Sequence, residues 1–222
     1  MRVYAIVEGQ TEGALVTKTL APHLATMKVY LYPVIVQTSP GHRGGGSSWG
    51  KWENDIRTTL KQQQGAEVRV TTLLDLFRLP RDFPEMAQHG QEPDTSRRCD
   101  KLEAAMAGVF DDHRLIPYLQ RHEVEALVLA SLDALPEFFD DQHALKGISQ
   151  LRQELGNQCP EDVNDGPDTA PSKRLGKHIP GYRKALHGPD AIEITKLAVV
   201  RERCPRFHRW LETLEALSPD AK

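Results

Sequence analysis

The sequence predicts an α/β fold: a parallel sheet flanked by helices, followed by a mainly helical C-terminal extension. Apolar segments of strand length alternate with segments of helical periodicity as far as residue 132. Such alternation is typical of a doubly wound parallel sheet with right-handed crossovers. Beyond Pro136 the pattern becomes helical and polar. We therefore predict an α/β domain over residues 1–135 and a helical extension, 136–222, packed on the same domain.

Composition indicates a soluble globular protein. The chain has 222 residues, 39% of them hydrophobic and 27% charged, which is enough to bury a sizeable core. Because the net charge is only −3, any surface that binds nucleic acid must be local. No segment has the length of a membrane span, and the N-terminus lacks a secretory pattern. Three widely spaced cysteines match no zinc-binding spacing and indicate reduced thiols in the cytoplasm.

The elements follow from the periodicity of the apolar residues. Apolar runs predict strands at 3–7, 29–36, 67–74 and 115–119. Helical spacing predicts helices over about 12–25, 48–64, 96–110, 126–132 and 205–217. Pro33 cannot donate a hydrogen bond to a neighbouring strand, so the second strand is predicted at a sheet edge or with a bulge.

Acidic residues follow the predicted strands at the points where they end. Glu8 comes after the first strand, Asp75 after the third, and Glu123 and Glu125 after the fourth. The carboxyl ends of parallel strands share one edge of the sheet, where ligands bind in open α/β folds. Converging carboxylates suit Mg²⁺ or Mn²⁺, which can promote phosphodiester cleavage. The alternative is that these acids stabilise helix N-termini. Glu12 is predicted to be a solvated helix residue.

The densest basic segment lies in the C-terminal extension. It contains Lys173, Arg174, Lys177 and Lys184. These side chains are predicted to neutralise the phosphates of a nucleic acid, with Lys173 near the scissile group. Gly9, in the turn after the first strand, is predicted to contact the substrate as well. The alternative is a solvated basic helix and loop.

A glycine-rich segment at residues 40–48 follows the second predicted strand. Residues 45–51 satisfy the first seven positions of a phosphate-binding loop, but Trp52 replaces the Ser or Thr that would ligate Mg²⁺. The segment is therefore predicted to be a loop that contacts substrate through backbone N–H groups, rather than a nucleotide-binding loop.

The ordered set of short motifs resembles a known family. The motifs are Val7–Glu12, Leu74–Phe77, His122–Leu127, Asn164–Pro167, Ala170–Arg174, Ile179–Tyr182 and Cys204–Phe207. Together they resemble bacterial TOPRIM-like proteins that are often encoded beside an AAA or ABC-type ATPase. The resemblance covers nearly the whole chain and implies a TOPRIM-like sheet.

The resemblance also implies a metal-dependent nuclease. TOPRIM domains hold divalent metal with a glutamate after the first strand and an Asp-x-Asp after a later one; Glu8 and Asp75 match these positions. Phe77 stands where the second aspartate belongs, and Glu125 or Glu123 would replace it, as in nucleases of the overcoming-lysogenization-defect class. Glu8 would then be a metal ligand or general base, with Asp75 and Glu125 as ligands.

The predicted function is therefore Mg²⁺- or Mn²⁺-dependent cleavage of DNA or RNA, in an anti-phage defence effector with an ATPase partner and no membrane association. A homo-oligomer is compatible with this prediction. Two alternatives stay open. Phe77 motivates an inactive TOPRIM-like binding module that serves the ATPase, and the same metal site would also suit a hydrolase of small phosphate compounds.

Overall fold

A parallel sheet forms the centre of the protein in the computed structural model, which describes residues 1–36, 48–77, 79–163, 166 and 168–221. Its strands are β1 (Arg2–Val7), β2 (Tyr30–Ile35), β3 (Val68–Asp75), β4 (Leu115–Ile116) and β5 (Leu119–Gln120). The strand order is β2-β1-β3-β4, and β5 pairs with β3 beyond β4. Every pairing is parallel. The predicted α/β class with a parallel sheet and flanking helices is confirmed.

Helices connect the strands and form the C-terminal part. They are α1 (Gln10–Leu15), α2 (Ala21–Ala25), α3 (Trp49–Gln62), α4 (Met86–His89), α5 (Thr95–Phe110), α6 (Glu125–Leu129), α7 (Gln142–Leu155), α8 (Pro171–His178), α9 (Lys184–Thr195), α10 (Leu197–Arg203) and α11 (Pro205–Glu215). A π-helical segment, Val16–Leu20, joins α1 to α2, and 3₁₀ turns lie at Leu135–Phe138 and Pro160–Asp162. No helix in the described ranges is long and apolar enough to cross a membrane.

Both faces of the sheet are covered, because successive side chains of a strand point to opposite faces. Val3, Ala5 and Val7 of β1 face a core shared with α1, α2 and the helices from α6 onward. Ile6 faces a second core, formed with α3 and α5. The near-continuous apolar run of β1 is therefore explained by burial on both sides, as in other doubly wound parallel sheets.

The helical C-terminal part shares its core with the sheet. Phe207 and Leu211 of α11 belong to the same buried cluster as Val3 and Ala5 of β1. The predicted boundary between residues 135 and 136 stays a prediction. The C-terminal helices and the sheet form one continuous hydrophobic core.

The fourth predicted strand is interrupted. Residues 115–119 were expected to form one strand, and this expectation is wrong: the structure has two short strands, Leu115–Ile116 and Leu119–Gln120, separated by Pro117 and Tyr118. The side chain of Thr72 replaces the missing ladder bond: its hydroxyl donates to the carbonyl of Tyr118 and accepts from the Tyr118 N–H, both at 2.8 Å. β5 then resumes the pairing with β3.

Pro33 lies on an edge strand, as predicted. The N–H groups of Tyr30 and Val36 donate to β1, to the carbonyls of Met1 (2.9 Å) and Val7 (3.0 Å). Because amides alternate in direction along a strand, the amide nitrogen of residue 33 is on the outer side. Proline there leaves a gap in the row of donors that another strand would need.

Restoring that donor is expected to promote self-association. Pro33→Val adds an outward N–H without removing an internal hydrogen bond, so the monomer should keep its stability to within about 1 kcal/mol. A concentration-dependent rise in mass by light scattering is the expected result. Pro33→Lys is the matched control, since it restores the same N–H but adds a charge that opposes strand pairing. A monomeric Pro33→Val variant at all concentrations would contradict the prediction.

Two predicted motifs fall wholly or partly outside the described residues. In the glycine-rich segment 40–48, only Ser48 is among the described residues. In the Asn164–Pro167 motif, Asn164, Asp165 and Pro167 are outside them.

Candidate functional site

The acids lie at the topological switch point of the sheet. β1 is followed by α1 on one face, whereas β3 is followed by α5 on the other face. Between neighbouring strands whose connections leave to opposite faces, a crevice forms at the carboxyl ends, and ligands bind there in open α/β sheets. Glu8 follows β1 directly and Asp75 is the last residue of β3, so both border this crevice.

Backbone hydrogen bonds tie these acids to each other and to the segment before α6. The Asp75 N–H donates to Glu8 Oε1 at 3.0 Å. The Val124 N–H donates to Asp75 Oδ1 at 2.8 Å. Because Val124 stands between Glu123 and Glu125, the second bond brings the fourth predicted strand end to the same place.

A turn at His122 completes this connection. His122 is buried and has a φ of 64°, a left-handed conformation that costs free energy in a residue with a Cβ. Its carbonyl accepts a hydrogen bond of 2.8 Å from the Phe77 N–H. Backbone pairing between the two segments therefore continues beyond the end of β3. Phe77 supplies no carboxylate at the position where the second aspartate of the Asp-x-Asp pattern was expected.

Glu125 is the most deeply buried acid of the site. It is the first residue of α6, and none of its side chain is exposed. Lys184 Nζ lies 3.2 Å from its Oε1 and forms an ion pair. Within the described part of the chain, neither carboxylate oxygen has a hydrogen-bond partner of good geometry. A buried carboxylate without such partners is costly, so these oxygens are available to a ligand.

Tyr182 provides a second buried polar atom close to Glu125. Its hydroxyl also lacks a hydrogen-bond partner among the described residues. Burial, and then the charge of Glu125, raise the pKa of Tyr182. Tyr182 belongs to the motif Ile179–Tyr182, but the sequence did not predict that it contributes to the site.

Glu12 belongs to the site, and its prediction as a solvated residue is wrong. Only 6% of it is exposed. Gly9 is the N-cap of α1, and Glu12 is the third residue of the helix, so its carboxylate folds back over the helix start and is stabilised by the Gly9 N–H. An alanine Cβ at position 9 would lie 3.4 Å from Glu12 Oε2, so Gly9 leaves room for this carboxylate. The sequence signal for this role was a glutamate at the third position of the helix, from which a side chain can reach back to the N-cap residue.

The clustered acids disfavour one another's ionisation. Burial raises the pKa of Glu8 to about 7, with a further rise from Glu12 and Glu123, against the opposing effects of the Asp75 N–H and Lys184. Burial raises the pKa of Asp75 well above its usual range, and the charges of Glu8, Glu12, Glu125 and Glu123 raise it further. Burial also raises the pKa values of Glu12 and Glu125, and Lys184 lowers both. Such repulsion favours a bound cation.

Glu123 is held by α8 and caps its N-terminus. The N–H of Ser172 donates to Oε2 at 2.8 Å, and the Ser172 hydroxyl donates to Oε1 at 3.0 Å. A carboxylate at a helix N-terminus is stabilised by the free N–H groups and by the helix dipole. For Glu123 the structure therefore favours the helix-terminus alternative, and the metal-ligand prediction rests on Glu125. Ser172 was not predicted.

The basic residues divide into two groups. Lys184, at the start of α9, contacts the carboxylate of Glu125. Lys173 and Lys177 are exposed on α8, and Arg174 Nε donates to the Thr169 carbonyl at 2.9 Å. Among the described residues, no ion pair links Lys173 to the acids, whereas Lys184 forms one with Glu125.

The donor set fits a hard divalent cation. Carboxylate oxygens are the preferred ligands of Mg²⁺ and Mn²⁺, and Glu125 offers buried oxygens without hydrogen bonds. In the described part of the chain, however, no three Asp, Glu, His or Cys side chains stand in a preformed ligand arrangement. Glu8 and Asp75 each accept a backbone hydrogen bond, so metal binding would require their side chains to adjust.

Comparisons with known proteins identify a family and two similar structures. Residues 7–215 match the family described as Domain of unknown function (DUF4276). No curated protein is significantly similar to the chain. The chain is similar to the C-terminal region of the Burkholderia pseudomallei OLD protein, with 15% identity, a TM-score of 0.49 and coverage of 97% of this chain and 98% of that chain. The corresponding values for the C-terminal region of the Xanthomonas campestris pv. campestris OLD protein are 15%, 0.34, 96% and 95%.

Proposed function

The chain belongs to the family described as Domain of unknown function (DUF4276), and for this member we propose a Mg²⁺- or Mn²⁺-dependent phosphodiesterase that cleaves nucleic acid. The observation that carries the proposal is the group of acids at the switch point of the sheet. Glu8, Asp75 and Glu125 come from three separate elements, the charges of Glu8 and Glu125 add to burial in raising the pKa of Asp75, and Glu125 has buried oxygens that accept no hydrogen bond from the described residues.

The acids would hold the cation through carboxylate oxygens. Glu8 and Glu125 would be ligands from either side of Asp75, whose own position is set by the Val124 N–H. When bound, a divalent cation supplies activation of water and stabilisation of the leaving oxygen in phosphodiester hydrolysis. Glu12 adds negative charge and orders the turn between β1 and α1, which keeps Glu8 at the crevice.

The lysines would bind the phosphates. Lys184 stands at the acids themselves, and Lys173 and Lys177 extend the positive charge along α8. The Ser172–Glu123 hydrogen bonds connect the start of α8 to the segment that carries Glu125, so the basic helix and the acids keep a defined relative position. A cationic surface beside a cluster of acids suits a polyanion that is cleaved with the help of a divalent cation.

The wider role follows from the motif resemblance. We propose that the protein acts in the cytoplasm as an anti-phage defence effector and that an AAA or ABC-type ATPase, encoded nearby, controls it. Two of the motifs that support this part of the proposal contribute residues close to the acids. Ser172 of Ala170–Arg174 donates a hydrogen bond to Glu123, and Tyr182 of Ile179–Tyr182 lies close to Glu125.

One observation favours a second candidate, an inactive binding module. Phe77 replaces the expected aspartate, and the acids in the described residues are not preassembled as metal ligands. In that case the same surface would bind a nucleic acid or the ATPase without cleaving it.

Cleavage assays separate these candidates. Plasmid, single-stranded oligonucleotide and tRNA are incubated with the protein and Mg²⁺ or Mn²⁺, with and without the ATPase. The wild type is expected to cleave at least one substrate, and Glu8→Gln is expected to lower the rate about 100-fold or more. A lost ligand removes several kcal/mol of electrostatic stabilisation, which corresponds to that factor. Glutamine keeps the Oε1 that accepts the Asp75 N–H, so the fold should persist.

Glu67→Gln is the matched control. Glu67 precedes β3 at the opposite end of the strand from Asp75, and its side chain is exposed. The same chemical change there should leave the rate unaltered. A wild type that is inert on every substrate, with and without the ATPase, would contradict the nuclease proposal, and nucleic-acid binding without cleavage would support the binding module.

A further inference from the structure

We propose that Lys184 is a built-in counter-ion of the acidic site and that a divalent cation binds by displacing its ammonium group from Glu125. The inference rests on the proposed function, because it concerns how that metal site is kept before the metal arrives. It makes Lys184 a regulator of cation loading, in addition to its contact with substrate.

Lys184 balances part of the negative charge of the site. Lys184 faces Glu125 directly, and its ammonium also acts electrostatically on Glu8, Asp75 and Glu12. A group of acids in or beside the interior cannot remain ionised without compensation. Of the cationic groups in the described residues, Lys184 is the one that forms an ion pair with an acid of this site. It therefore supplies one positive charge where several carboxylates meet.

Lys184 compensates the charge of Glu125 only in part. Glu125 is fully buried, and the Lys184 ammonium contacts only Oε1, at 3.2 Å, whereas Oε2 has no partner among the described groups. The nearby Tyr182 hydroxyl is likewise without one in that part of the chain. A divalent cation would satisfy the carboxylate better, because it carries twice the charge and takes several oxygen ligands.

The position of Lys184 allows its ammonium group to leave Glu125. Its side chain is 57% exposed, and it stands at the first position of α9. A lysine on a flexible stem can therefore withdraw its ammonium into water without opening the core. Arg206 shows the contrasting case: it is 6% exposed and is held by Asp100 and Glu103, as expected for a structural ion pair.

Displacement also has a consequence for the substrate. An ammonium and a divalent cation repel each other at close range, so a cation bound at Glu125 weakens the contact that Lys184 makes with Oε1. Once displaced, Lys184 remains at the rim of the crevice, where it can contact a phosphate. Cation loading and exposure of a phosphate-binding lysine are thereby coupled.

The test is calorimetric titration of the wild type and Lys184→Met with MnCl₂ at low ionic strength, after treatment with a chelator. Removing the competing charge should tighten Mn²⁺ binding about ten-fold. Lys146→Met is the matched control, since Lys146 is an exposed lysine on α7 and its replacement changes the net charge equally. That variant should bind Mn²⁺ like the wild type.

A second measurement needs no variant and so does not depend on how Lys184→Met folds. The wild type is treated with an amine-acetylating reagent, and modification of Lys184 relative to Lys146 is quantified by mass spectrometry. Displacement predicts that Mn²⁺ increases acetylation of Lys184, whereas Lys146 is unchanged.

The outcomes are distinguishable. Equal or weaker Mn²⁺ binding by folded Lys184→Met, or acetylation of Lys184 that does not rise with Mn²⁺, overturns the inference while the wild-type metal site stands. Absence of Mn²⁺ binding by the wild type and the variant alike overturns the proposed function, and the inference with it.

Discussion

Gly147→Ala is expected to detach α8 from α7 and to lower the free energy of unfolding by about 3 kcal/mol. A Cβ at position 147 would lie 1.6 Å from the backbone carbonyl oxygen of His178, at the end of α8. A backbone atom cannot move aside as a flexible side chain can, so the two helices must separate. The loss is measured by denaturant unfolding monitored by circular dichroism.

Gly176→Ala is the matched control in the partner helix. Position 176 lies inside α8, and nothing lies within 4 Å of a Cβ built there. Alanine should therefore stabilise the protein by up to about 1 kcal/mol through its higher helix propensity. Equal stabilities for Gly147→Ala and the wild type would contradict the packing described here.

The separation of α7 and α8 also reaches the acidic site. Ser172, at the start of α8, donates two hydrogen bonds to Glu123, and Lys173 follows it. We therefore expect Gly147→Ala to weaken nucleic-acid binding as well as stability.

The metal-free protein is expected to lose stability as pH rises from about 4.5 to about 7. Burial raises the pKa of Glu8 from 4.5 to about 7 in the folded state. The folded state then binds this proton more tightly than the unfolded state, so its advantage is fully present below pH 4.5 and is lost as pH rises through 7. Because Glu8 is partly exposed, solvent reduces the effect, and its contribution to the free energy of unfolding is about 2 to 3 kcal/mol. Asp75, with a pKa also raised by burial, acts in the same direction.

Urea unfolding at pH 5 and pH 7.5 in the presence of a chelator measures this effect. Glu8→Gln should reduce the difference in unfolding free energy between the two pH values by about 2 kcal/mol, because its amide does not titrate. Glu67→Gln, at the exposed end of β3, should not reduce it. Mn²⁺ should restore much of the stability at pH 7.5, since a ligand that binds only the folded state stabilises it. Identical pH dependence in the wild type and Glu8→Gln would contradict the burial assigned to Glu8.

Much of the sheet could be predicted from local patterns. The apolar runs located β1, β2 and β3 to within one or two residues, and Pro33 indicated an edge strand. The continuous fourth strand was wrong because the side-chain hydroxyl of Thr72, instead of the β3 backbone, pairs with the backbone of Tyr118. That substitution depends on Thr72, which is remote in sequence.

The candidate site was predictable only in part. Glu8 and Asp75 follow from the rule that strand ends share one edge, and the structure places them in contact through the Asp75 N–H. The burial of Glu12 was missed, because a helical acid beside a turn is usually solvated. The roles of Glu123 and Lys184 depend on where α8 and α9 pack.

The sequence alone located the carboxyl ends of β1 and β3 and the acids there, Glu8 and Asp75, because those features depend on residues a few positions apart. The tertiary structure decided which charges meet. It places Glu123 against Ser172, 49 residues away, and Glu125 against Lys184 rather than near Lys173. Local periodicity carries no information about such pairs, because the burial of a carboxylate and the choice of its counter-ion are set by how distant helices pack on the sheet.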